Sequence, residues 1–107
     1  MFLSLHANSM ADDVDISKVD GFAVFYREKL ALPLAEIIFQ NTLTDLNRTN
    51  KSLHNRNFYV ISGTWTPSIL VESGFVPNPY EFEWLIDENE QTRLAQSIAK
   101  SVVEYFK

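Results

Sequence analysis

The run Ser68-Ile69-Leu70-Val71 opens on Pro67, is almost wholly apolar, and stops at the charged Glu72. Apolar side chains without alternation point to both faces of a strand, so both faces need a cover. That condition is met by a central strand in a mainly parallel sheet with helices on its two sides, a three-layer α/β/α arrangement. The flanking sequence agrees. Phe2-Leu3-Ser4-Leu5 reads as a first strand that ends at His6, and Phe22-Ala23-Val24-Phe25-Tyr26 as a second. Phe58-Tyr59-Val60-Ile61 reads as a short strand before the central one, and Arg48 to Asn57 as a polar connection. Between them, Leu30 to Asn47 has helical periodicity. Glu36, Gln40, Thr44 and Asn47 form a polar strip and a wide apolar arc covers the rest. Pro33 suits its first turn, where the missing N–H costs nothing.

The C-terminal third carries clear helix punctuation. Asn78 precedes Pro79 and opens a short helix to Leu85 as an N-cap. Asp87 with Glu90 three residues on marks the start of the last helix. Leu94, Ile98, Val102 and Tyr105 recur at helical spacing opposite Arg93, Lys100, Glu104 and Lys107. Strands alternating with helices make one α/β domain over residues 1–107. There is no repeat, linker or low-complexity tract.

Composition narrows the functions open to it. The chain has 107 residues, a net charge of -5 and no cysteine. Thiolate metal sites, disulfides and a cysteine nucleophile are excluded. An acidic chain lacks the basic face that displaces counterions from nucleic-acid phosphates. No apolar run approaches the ~20 residues of a membrane span. Met1 to Leu5 has no basic lead and its apolar run ends at His6, so it does not read as a signal peptide.

In parallel sheets the working residues gather at the carboxyl ends of the strands. Two polar residues are expected there: His6 after the first strand and Glu72 after the central one. Imidazole is a common zinc ligand, and a carboxylate beside a metal site is a usual general base. On residue chemistry alone, a histidine at a strand end is more often a hydrogen-bonded structural residue than a ligand, and a solvated strand end stays open for Glu72. His54 reads as a surface residue.

The motifs around both residues sharpen this. Phe2-Leu3-Ser4-Leu5-His6-Ala7-Asn8 resembles the F-x-S-x-H-A-N strand of the zinc-dependent N-acetylmuramoyl-L-alanine amidases. Ile69 to Pro79 is similar to their L-V-E-x-G-F-x-x-N-P segment, with Glu81 and Leu85 continuing the pattern. Gly21 to Tyr26, Asn57 to Val60 and the closing helix also match, in order, along nearly the whole chain. The resemblance implies that His6 is a Zn²⁺ ligand and Glu72 the catalytic residue. It implies cleavage of the amide between N-acetylmuramic acid and L-alanine in peptidoglycan, in the cell envelope. It implies too that Asn8 supports the site. Two departures stand out. The family's Gly-His-Gly-Gly-type turn and its helical zinc-binding glutamate both precede the His-Ala-Asn strand and have no counterpart in these residues. The chain is thus expected to be the C-terminal part of a single catalytic domain, with any export signal further upstream. It is expected to bind zinc weakly and not to hydrolyse peptidoglycan by itself, and to leave apolar surface open at one sheet edge. The rival readings are a degenerate module that binds peptidoglycan or a partner without catalysis, and a serine hydrolase using Ser62 or Ser73. Neither serine lies in a Gly-x-Ser-x-Gly elbow.

Overall fold

The computed structural model describes residues 1–10, 12–15, 20–48, 52–63 and 65–107. Four strands and three α-helices follow in the order β1 (Phe2–Asn8), β2 (Ala23–Tyr26), α1 (Leu32–Asp45), β3 (Ser52–Asn55), β4 (Ser68–Phe75), α2 (Pro79–Ile86) and α3 (Glu88–Tyr105). The strands form one sheet in the order β1-β4-β2-β3. The β1–β4 and β2–β3 pairs are parallel, and β2 runs antiparallel to β4. The fold is α/β, a mixed sheet flanked by helices.

Register divides the sheet into two faces. Leu3 sits beside Ile69, and Leu5 beside Val71, which in turn meets Val24, itself paired with Leu53. Apart from Leu5, all of these belong to or pack on the main core, together with Leu34, Ala35 and Ile38 of α1 and Ile98 of α3. Helices α1 and α3 therefore cover this face. The two helices are also joined by polar contacts. Asn41 Nδ2 donates to Ser101 Oγ at 2.9 Å, Lys100 Nζ lies 2.6 Å from Asp45 Oδ2, and Arg93 donates to the Asp45 carbonyl at 2.7 Å. The polar side of α3 is thus partly a helix–helix contact, and the buried Thr42 satisfies its hydroxyl on the Ile38 carbonyl at 2.8 Å.

The opposite face carries Ser4, His6, Leu70, Glu72, Ala23, Phe25 and His54. Part of its cover comes from the 56–63 segment. Phe58 meets the Phe25 ring edge-on at 5.0 Å, and Ile61 is fully buried.

Two local expectations are corrected. Residues 52–55, read as connection, form β3. Residues 58–61, read as a strand, turn as a 3-10 helix over Tyr59–Ile61. The place beside β2 can hold only one strand, and Ser52–Asn55 takes it, with Leu53 facing the core beside Val24. Only Ile61 of the second segment is buried, while Tyr59 is almost wholly exposed. A single inward side chain suits one tight turn better than a strand. The β2–β4 pair is the antiparallel exception in the mainly parallel sheet expected. The buried character of β4 does not depend on strand direction, so the apolar run could not report it.

The helix starts follow the sequence. Asn78 Oδ1 accepts from the backbone N–H of Tyr80 and Glu81, and Asp87 Oδ1 accepts from Glu90 N at 3.0 Å. Strand β1 is an edge strand. Phe2 is 42% and Leu5 56% exposed, so apolar surface stands open there. Beside Leu5 lies a cavity of about 220 Å³ walled by Trp84, Leu94 and Ile98. The buried Arg48 also lines it, with its guanidinium 4.1 Å over the Trp84 ring and 3.5 Å from Glu90 Oε2. No described helix is long and apolar enough to cross a membrane.

Candidate active site

His6 and Glu72 are register partners on adjacent parallel strands. Partners in register point to the same face, so the sheet itself aligns the two side chains. The imidazole Nδ1 lies 4.0 Å from Glu72 Oε1. Its other nitrogen, Nε2, is 2.8 Å from Ser4 Oγ, two residues back on the same strand and face. Neither residue ends its strand: β1 continues to Asn8 and β4 to Phe75. Just beyond the pair the register slips, Asn8 meeting Phe75, so β4 carries one extra residue. Bulges of this kind are frequent beside active sites because they re-aim the following side chains. Gly74 lies in that bulge with φ +157°, a backbone conformation that side chains rarely adopt.

The two partners differ in environment. The His6 side chain is 43% exposed, whereas that of Glu72 is 11% exposed. Glu72 Oε2 is buried without a hydrogen-bond partner. Burial disfavours the charged carboxylate and raises the Glu72 pKa above the usual carboxyl range, and the nearby His6 offsets this in part. A carboxyl group placed in this way holds a proton more readily than an exposed one, which suits it to accepting a proton from water.

The raised pKa has a definite sign for stability. A carboxyl whose folded pKa lies above its unfolded value stabilises fully below the unfolded pKa. That contribution is lost as pH rises through the folded pKa. Glu72→Gln is therefore expected to melt a few degrees above the wild-type chain at pH 7. The gap should close below the ordinary carboxyl range of about 4. Thermal melts across that pH range check this; a Gln variant that melts lower at pH 7 would contradict the burial argument.

One further residue shapes this end of the sheet. Glu81, 2% exposed, accepts from Gly21 N at 2.9 Å and from Phe75 N at 3.0 Å through the same oxygen. It clasps the lead-in of β2 to the end of β4, directly past Glu72. The sequence showed Glu81 only as part of a pattern; its position three after an N-cap asparagine, where it is turned inward, was the available signal.

The remaining candidates fall elsewhere. Asn8 Oδ1 accepts from Ser9 N at 2.9 Å and its carbonyl accepts from Val76 N at 2.8 Å, so its observed bonds close the end of β1 and hold it to the end of β4. It lines a cavity of about 200 Å³ with Asp20, Ser52 and Phe75. His54 is exposed on β3 and stacks on Phe25 at 5.6 Å. The Ser62 hydroxyl donates within its own turn, to Asn57 Oδ1 and the Phe58 carbonyl. Ser73 lines the cavity beside Leu5. No contact joins either serine to a histidine among the described residues. No group of three His, Cys, Asp or Glu able to hold a metal occurs among them. His6 and Glu72 have the donor types that zinc takes, and the orphaned Oε2 and open Nδ1 fit it in kind, but they are too few to complete a site.

The fold has close counterparts. The catalytic domain of CwlV, an N-acetylmuramoyl-L-alanine amidase from Bacillus (Paenibacillus) polymyxa var. colistinus, superposes with a TM-score of 0.88 at 31% identity. The match covers 98% of this chain and 56% of that one. The N-acetylmuramoyl-L-alanine amidase AmiC2 of Nostoc punctiforme gives 0.88 at 30% identity, over 98% and 57%. The N-acetylmuramoyl-L-alanine amidase LytC of Bacillus subtilis is 27% identical over all of this chain, which spans 22% of its length. The chain thus spans about half of the solved domains and less of the curated relatives, 35% of the probable cell wall amidase LytH of Staphylococcus saprophyticus. The family model described as N-acetylmuramoyl-L-alanine amidase matches residues 1–104, so the chain belongs to the N-acetylmuramoyl-L-alanine amidase family.

Proposed function

We propose that this chain is the C-terminal part of one amidase catalytic domain. The complete protein hydrolyses the amide between N-acetylmuramic acid and L-alanine in cell-envelope peptidoglycan, with zinc as its metal. The observation that carries this reading is the in-register pairing of His6 with the buried carboxyl of Glu72, whose Oε2 has no hydrogen-bond partner. Family membership makes peptidoglycan the substrate of choice.

Each residue has a role in that reaction. Glu72 takes a proton from the water that attacks the amide carbonyl. It then gives the proton to the departing L-alanine amine, a double duty that its raised pKa favours. His6 offers Nδ1 as a metal ligand, and Ser4 occupies its far nitrogen. Zinc, when bound, supplies polarisation of the carbonyl and acidification of the attacking water. The further ligands would come from the portion of the domain that this chain does not span. The open β1 edge and the cavity beside Leu5 are surfaces against which such a portion can pack.

The test compares the chain alone with a chimera in which residues 1–104 replace the matching segment of the CwlV domain. Purified muropeptides are incubated with each and analysed by mass spectrometry. The chimera is expected to release stem peptides with free L-alanine amino termini, while the chain alone releases none and retains zinc weakly. Release by the unassisted chain, or a folded chimera that cuts a different bond, would sink the proposal.

A further inference from the structure

We propose that Ser4 is a positioning residue for His6: its hydroxyl accepts a hydrogen bond from Nε2–H and so leaves the Nδ1 lone pair facing the Glu72 carboxyl. The inference rests on the functional reading above and adds a residue to it. Ser4 and His6 lie two apart on an extended strand, so their side chains leave the same face. The Ser4 Oγ to His6 Nε2 distance of 2.8 Å is that of a well-made hydrogen bond. The Nδ1 to Glu72 Oε1 distance of 4.0 Å is too long for one. The imidazole is thus held from one side and open on the other. A neutral imidazole carries one N–H, and the nitrogen that ligates a metal is the bare one. The partner of the opposite nitrogen sets which one that is, and here it is Ser4. The exposed, rotatable ring would otherwise sample both tautomers and several orientations.

The same three residues superficially resemble a serine–histidine–acid triad, and the proton decides between the two. A nucleophilic Ser4 would donate to a bare Nε2, and Nδ1 would carry its proton toward Glu72. The 4.0 Å gap to the carboxyl argues against that arrangement.

The experiment labels histidine with ¹⁵N and records long-range proton–nitrogen correlations of the chain at a pH where the imidazole is neutral. Wild-type His6 is expected to be protonated on Nε2 with Nδ1 bare. Ser4→Ala should turn this into the averaged pattern of an unrestrained ring, and Ser4→Thr, which keeps the hydroxyl and suits a strand, should restore it. Zinc titrated into the same samples should perturb His6 Nδ1, with the half-saturation point about 10-fold higher for Ser4→Ala. Loss of the wild-type tautomer in Ser4→Ala with no zinc response in any sample supports the Ser4 role and removes the zinc reading instead. A His6 ring protonated on Nδ1, a Ser4→Ala spectrum identical to wild type, or labelling of Ser4 by a fluorophosphonate overturns the proposal.

Discussion

Glu81→Ala is expected to lower the melting temperature of the chain by more than about 10 °C, because two backbone donors, one buried and one half-buried, lose their acceptor together. Gly21 N and Phe75 N both bond to one oxygen of this 2%-exposed side chain. Leaving a buried donor without a partner costs about 1–3 kcal/mol, so the pair is worth on the order of 3 kcal/mol. That is a large share of the roughly 5–15 kcal/mol available to a domain of this size. Truncation also removes the carboxyl packed over Gly74, where an added Cβ would lie 3.5 Å from Glu81 Oε2. Glu81→Gln keeps an amide oxygen in the same place and should lose about 1 kcal/mol or less, since a neutral acceptor is weaker than a carboxylate. Differential scanning calorimetry of the three proteins measures both effects. If the Ala and Gln variants melt together, the clasp is not held by these hydrogen bonds.

The second large effect concerns chemistry. In the chimera that completes the domain, Glu72→Gln is expected to reduce muropeptide hydrolysis by a factor of roughly 10²–10⁴, the usual contribution of a positioned general acid–base group. Glutamine has nearly the same shape but cannot take a proton from water. The variant should fold at least as well as its parent, since it removes the cost of burying an ionised carboxyl at β4. Loss of activity with undiminished melting temperature and metal content separates this chemical role from a structural one. A Gln variant with more than a tenth of the parent's rate would remove Glu72 from the proton-transfer role.

The sequence disclosed these two residues for different reasons. Glu72 was visible because a carboxylate at the end of an apolar run has to be solvated, paired or used. His6 was visible through its motif, since a lone histidine after a short strand has no distinctive physical signature. Their pairing depended on strand order, and no local pattern reports that β1 lies beside β4 rather than beside β2. The helices were legible because Asn78, Pro79 and Asp87 act within one turn of themselves. By contrast, Ser52–Asn55 is polar outside Leu53, so its strand character comes from pairing with β2 and not from its own residues. Phe58–Ile61 had the composition of a strand, but the place beside β2 is taken by Ser52–Asn55 and only Ile61 turns inward. Thr42, Ser97 and Ser101 look like surface residues, yet they are buried; Thr42 and Ser101 bond back to carbonyls of their own helices. Ser4 stood in the sequence only as a fixed position of the F-x-S-x-H-A-N motif, with no role until the imidazole two residues on is seen to turn back to it.

If one imidazole and one carboxyl serve a single reaction centre, disabling the second after the first has little left to remove. The most direct check is a four-way comparison of muropeptide cleavage rates in the chimera carrying neither change, His6→Ala, Glu72→Gln, or both. A double variant no slower than its slower single parent is the expected result. Losses that multiply across the two sites would mean that His6 and Glu72 work independently, and the shared centre would have to be abandoned.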